Sequence, residues 1–172
     1  MRTQDRRRRA LLVALAAGGL LAPAAARALD VGERVAWRDL DLLDGTRLPA
    51  ARLAGRPVVV ELWASWCPFC KLQNPRLEAL WRAHGGRGLE VVTFAIDKDP
   101  ATARAYVAQH GYTFPVAMAD AEAMRTFGAR RGLPLLYVVG ADARVLRVEA
   151  GEMLEEDVRA LARQPGEQSF AG

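Results

Sequence analysis

Apolar positions recur along this chain with two different periods, and the change of period marks out its elements. Pro57-Val58-Val59-Val60-Glu61-Leu62-Trp63 is apolar except for one acid, which predicts a strand buried on both faces. From Pro68 to Arg82 the pattern turns helical. Leu77, Leu80 and Trp81 share a face, Leu72 is nearly in phase, and Pro68 suits a first turn. Pro75 is expected to interrupt and kink that helix. Leu89–Ile96 predicts the next strand. Pro100–His110 predicts a helix with Ala103, Tyr106, Val107 and His110 to one side, ended by Gly111. Phe114–Met118 reads as a short strand, and Asp120 as the cap of a helix reaching Phe127. Leu135–Val139 and Arg144–Ala150 read as strands joined by a turn at Gly140-Ala141-Asp142, before a last helix over Leu154–Arg163. Ahead of all these, Trp37–Leu42 and Thr46–Leu48 flank Asp44-Gly45, a hairpin signal. Strands alternating with helices make an α/β domain. There is no internal repeat and no second domain.

With 172 residues, 51% of them hydrophobic, one domain can bury a real core. The net charge of +4 suggests affinity for nucleic acid until its position is considered. Arg2, Arg6, Arg7, Arg8, Arg9 and Arg27 precede residue 29, against Asp5 alone, leaving 18 basic and 19 acidic side chains beyond. The domain itself is near neutral, so nucleic acid is not an expected partner.

The basic start has its own reading. Arg6–Arg9, the apolar run Ala10–Leu21, Pro23 and Ala26-Arg27-Ala28 make an export signal over residues 1–28, cleaved after Ala28. Arg8-Arg9-Ala10-Leu11-Leu12 resembles a twin-arginine motif; a general secretory signal rich in Arg is the alternative. The apolar run is short for a membrane span, so an uncleaved anchor is the lesser option. Either route delivers residues 29–163 as a domain, with residues 164–172 as a flexible tail, to the periplasm, where disulfides persist.

The chain has two cysteines, Cys67 and Cys70, in Trp66-Cys67-Pro68-Phe69-Cys70. A disulfide across so short a loop restrains the unfolded chain little, so stability does not explain the pair. A zinc site needs further ligands, and His84 and His110 lack the spacing to supply them. The pair stands at a strand-to-helix turn, with Cys67 at a helix N-terminus, where free N–H groups and the helix dipole favour a thiolate. One sulfur to attack and one behind it to resolve is the requirement for thiol–disulfide exchange.

Trp63-Ala64-Ser65-Trp66-Cys67-Pro68-Phe69-Cys70 resembles the active-site stretch of the thioredoxin superfamily, and Leu40 to Arg163 resembles its TlpA/ResA-type extracytoplasmic members. The resemblance implies a thioredoxin-like fold with an N-terminal β-hairpin and a central helix–strand insertion. It implies catalysis by Cys67 and Cys70, with no cofactor beyond their own redox-active disulfide and no metal. Trp66, Pro68, Phe69, Leu133 and Pro134 are the expected substrate contacts. Pro134 is expected to be cis and to face the cysteines, and Gly151 to lie near the site. Expected partners of the monomer are disulfide-containing proteins, apocytochrome c or copper-site proteins among them, and a membrane electron donor of DsbD/CcdA type. Alternatives are a DsbA-like oxidase and a binding module or chaperone with a redox switch. A peroxiredoxin would carry Thr or Ser where Ala64 stands.

Two positions depart from the family. Glu61 replaces its frequent Asn, and Gln73 replaces an acid. The expectation is that Glu61, buried beneath the dithiol, accepts the Cys70 proton while Gln73 only hydrogen-bonds. Trp63 is expected in the core and Arg130 and Arg131 in solvent. His84 and His110 are expected to be caps or surface residues.

Overall fold

The structure, a computed structural model, describes residues 28–128 and 132–163. The export signal up to residue 27, the tail 164–172, and Arg130 with Arg131 lie outside the described residues.

The first described strands form a two-stranded antiparallel hairpin, β1 (Leu40–Asp41) and β2 (Arg47–Leu48), shorter than the sequence predicts. Asp39 explains the shortening. Its carboxylate takes the Arg47 Nε at 3.1 Å and the Ala50 N–H at 2.9 Å. That turns the chain into α1 (Ala50–Leu53), a one-turn helix absent from the sequence reading. The main sheet follows the order β5–β4–β3–β6–β7. Its strands are β3 (Val58–Trp63), β4 (Glu90–Ala95), β5 (Val116–Met118), β6 (Leu135–Val139) and β7 (Val145–Ala150). β3, β4 and β5 run parallel; β6 pairs antiparallel with both β3 and β7. β3 is central, and all six of its residues are buried, Glu61 included.

Among the described residues the other helices are α2 (Pro68–His84), α3 (Pro100–His110), α4 (Ala121–Thr126) and α5 (Glu155–Ala160). α3 ends where Gly111 adopts a left-handed φ of 64°, a conformation that favours glycine. Alternation along β3 divides the core. Val59 and Trp63 join Leu77 of α2, Tyr106 of α3 and Val158 of α5 on one face. Val58, Val60 and Leu62 join Leu53 of α1 and Phe127 beyond α4 on the other. The helix–strand insertion is α3 with β5, which sits at the sheet edge and meets the hairpin through Leu43 N–H to Val116 O, 2.7 Å.

One expectation is corrected. Pro75 does not interrupt α2, which runs unbroken through it for 17 residues. Proline removes a single bond, to the Lys71 carbonyl. Lys71 and Pro75 are both exposed, so water serves that carbonyl, while Leu77 and Leu80 hold the later turns to the sheet.

Glu78 ties α2 to the insertion. Its carboxylate accepts the Thr113 hydroxyl (2.7 Å), the Thr113 N–H (2.8 Å), the Phe114 N–H (3.2 Å) and the Arg82 Nε (2.6 Å). Burial works against the charge, but these donors outweigh it and hold the carboxyl below its ordinary range. Glu78→Ala strips two backbone N–H groups of their acceptor. It is expected to lower stability by about 2 kcal/mol, read as a lower urea midpoint. An unchanged midpoint would mean that the insertion docks without this clasp.

Among the described residues no helix is long and apolar enough to cross a membrane.

Candidate active site

The site is built where β3 ends and α2 begins. Cys67 is the N-cap of α2, in extended conformation, and its Sγ accepts the Cys70 N–H at 3.3 Å. An N-cap acceptor satisfies an N–H group that the helix leaves free. The two cysteines are unlinked thiols. Cys67 is 4% exposed and Cys70 fully buried behind it. Burial pushes the Cys70 thiol far above its ordinary value, and the Cys67 sulfur beside it adds to the effect. The pair is therefore unequal: one sulfur sits at a helix start near the surface, the other in a dry interior that resists its ionisation.

The turn before Cys67 is pinned by Asp97, just beyond β4. Its carboxylate accepts the Ser65 N–H at 3.1 Å and the Ser65 hydroxyl at 2.5 Å. Sequence reasoning missed Asp97; the available signal was an acid at the carboxyl end of a parallel strand, where such sheets place their sites. Around the opening, Trp66, Phe69 and Leu72 are large apolar side chains more than half exposed, and Pro68 is exposed among them. Trp63 is fully buried and donates its Nε1–H to Thr93.

Leu133 is half-buried, Pro134 is buried, and the peptide bond between them is cis. The Pro134 carbonyl accepts the Gly151 N–H at 2.8 Å. Gly151 has φ of 99°, a conformation that a side chain would strain, so its backbone explains the glycine. Gln73 is buried and accepts the Met153 N–H at 3.0 Å, tying α2 to the chain after β7. Arg76 of α2 reinforces that tie through Glu152 and the Met153 carbonyl, each at 2.5 Å.

Glu61 lies in the middle of β3, on the face that carries Val59 and Trp63 toward α2. It is wholly buried, and neither carboxyl oxygen has a protein partner. Burial pushes its carboxyl up to about 8. His84 and His110 are exposed, and His110 Nδ1 contacts the Tyr106 carbonyl at 2.9 Å.

A profile of the family described as Redoxin matches residues 20–164. The chain belongs to the Redoxin family. Among curated relatives, the thiol-disulfide oxidoreductase ResA of Bacillus thuringiensis (strain Al Hakam) is 24% identical over 123 residues, 71% of this chain and 70% of that one. The ResA of Bacillus subtilis (strain 168) is 23% identical over 133 residues, 76% of this chain and 74% of that one. In fold, the chain is similar to a thiol:disulfide interchange protein of Chlorobium tepidum TLS. There the TM-score is 0.70 and the identity 24%, over 78% of this chain and 97% of the other. StoA of Bacillus subtilis gives a TM-score of 0.66 at 19% identity, over 75% of this chain and 98% of the other. This Redoxin-family chain is thus a ResA-like member of the thioredoxin superfamily, with the expected hairpin and insertion, and its class of activity is thiol–disulfide oxidoreduction.

Proposed function

We propose that this protein is exported and reduces disulfides of extracytoplasmic proteins, with Cys67 as nucleophile and Cys70 as resolving thiol. The observation that carries the proposal is the inequality of the two sulfurs: Cys67 caps α2 and accepts an N–H, while Cys70 lies buried behind it. The Cys67 thiolate attacks a substrate disulfide, displaces one substrate sulfur as thiolate and forms a mixed disulfide. Cys70 then attacks Cys67 Sγ. The substrate's second sulfur leaves with the electron pair of the broken bond, and Cys67–Cys70 is oxidised. Buried Cys70 needs a base to ionise, and Glu61 is the carboxylate beneath it.

Trp66, Pro68 and Phe69 offer an apolar rim, and Leu133-Pro134 a backbone edge against which an extended substrate segment lies. Electrons return through a membrane donor of DsbD/CcdA type, since an oxidising compartment does not supply them. The names of the ResA relatives support this class of chemistry. Apocytochrome c and copper-site proteins are the substrates to try first.

Direction is the test. The dithiol form, mixed with an equal amount of a disulfide-bonded protein, is expected to reduce it and emerge as the Cys67–Cys70 disulfide. If instead the disulfide form oxidises reduced, unfolded protein while the dithiol form leaves disulfides intact, the protein is a disulfide donor.

A further inference from the structure

Below the dithiol the interior holds polar atoms that no protein group satisfies. Both carboxyl oxygens of Glu61 and the amide oxygen and nitrogen of Asn74 are buried without a partner, and the buried Tyr106 hydroxyl has only the Tyr112 hydroxyl beside it. Native interiors leave few polar atoms unpaired, so several on one face of one sheet call for an explanation. Three elements bring them there. β3 carries Glu61 two residues before Trp63, on the same face. α3 lays the Tyr106 ring against Trp63, with ring centres 5.3 Å apart. α2 carries Asn74 one turn after Cys70 and one turn before Glu78. That is the flank of α2 facing the insertion, because Glu78 grips Thr113 and Phe114 just beyond α3. Gln73 turns to the opposite flank, toward Met153.

We propose that Tyr106 and Asn74, bridged by ordered water, line a polar compartment around the Glu61 carboxyl, and that Tyr106 is a positioning residue for proton transfer between Cys70 and Glu61. The proposal rests on the role given to Glu61 above. A buried water needs two to four polar partners, and these three side chains supply them. At resolution the Cys70 proton passes to the Glu61 carboxylate as the Cys70 sulfur bonds to Cys67 Sγ. The departing substrate thiolate takes a proton from solvent. The Tyr106 hydroxyl, donating through that water to the ionised carboxylate, stabilises the form of Glu61 that must be present before the step. The remaining titratable groups facing Glu61 are Cys70, with Cys67 behind it, on α2, and Tyr112 after α3; Glu78 lies further along α2. Its sheet neighbours, Thr93 on β4 and Leu136 on β6, bring no charge, and the α5 residue packed in this layer is Val158. Helix α3 thereby becomes part of the chemistry as well as of the packing.

The test follows resolution of a mixed disulfide preformed on Cys67, against pH, in wild type, Tyr106→Phe, Glu61→Gln and the double variant. Glu61→Gln is expected to slow the step and flatten its pH profile. Tyr106→Phe is expected to slow it about tenfold at pH 7 and move its midpoint up by about one unit, since a lost donor disfavours the carboxylate. The double variant should be no slower than Glu61→Gln alone. In infrared spectra, the carbonyl stretch that Glu61→Gln removes should move in Tyr106→Phe. Asn74→Ala probes the same compartment from α2, with a shift of the same sign, should loss of the Tyr106 hydroxyl impair folding. A slow Glu61→Gln beside an unshifted Tyr106→Phe, or additive effects in the double variant, would overturn this inference and leave the role of Glu61 standing. An unaffected Glu61→Gln would overturn both.

Discussion

Cys67→Ser is expected to reduce disulfide exchange to the uncatalysed background, and Cys70→Ser to stop after one half-reaction. The two outcomes differ because the proposed scheme gives the two sulfurs different work. Serine at position 67 keeps the helix cap, since its hydroxyl can accept the Cys70 N–H that Cys67 Sγ accepts now. What disappears is the thiolate that attacks the substrate disulfide. In Cys70→Ser the attacking sulfur and its setting remain, so substrate is captured and held. Mass spectrometry should then show one substrate joined to Cys67, released by added dithiol. Neither change should lower stability much, because the pair spans a loop too short to constrain the unfolded chain. The reverse pattern, with capture by Cys67→Ser and silence from Cys70→Ser, would exchange the two roles. Turnover by both variants would remove the dithiol from the mechanism.

Glu61→Gln is expected to make the protein more stable at pH 8 while leaving it unchanged near pH 4. Burial raises the Glu61 carboxyl from 4.5 to about 8, so between those values the folded protein binds a proton that the unfolded chain releases. Stability is then fully present below pH 4.5 and falls as pH rises, by about 1.4 kcal/mol per pH unit, until it levels near pH 8. Across the window the loss is on the order of 5 kcal/mol. Glutamine has a similar shape and no charge to bury, so its curve lacks that slope. Urea denaturation of the dithiol forms at pH 4, 6 and 8 checks this. Parallel curves would mean that Glu61 ionises freely in the folded protein, and that its pairing with Cys70 has no special energetics.

The elements whose boundaries matched the sequence reading carry strong local signals. Asp99-Pro100 and Gly111 bracket α3, and an apolar run framed by Pro134 and Gly140 is β6. Glu61 was visible as one acid in a strand buried on both faces. Asp97 and Asn74 were not, because each acts across the chain. Asp97 meets Ser65 from the loop after β4, and Asn74 is placed by the docking of α2 against the insertion. The one-turn α1 depends on Asp39 reaching Ala50 eleven residues away, a contact without local periodicity. Pro75 misled because its effect depends on which side of the helix it occupies: on the exposed side water replaces the lost bond, and the helix continues.

The claim that this dithiol gives electrons to its substrates reduces to one quantity, the reduction potential of the Cys67–Cys70 pair in residues 29–172. Equilibration with thiol buffers of defined poise, scored by alkylation of the free thiols, measures it. A value near about −270 mV, in the range of thioredoxin, is the predicted result. A value near about −120 mV, in the range of DsbA, would contradict the account and make the protein an oxidant.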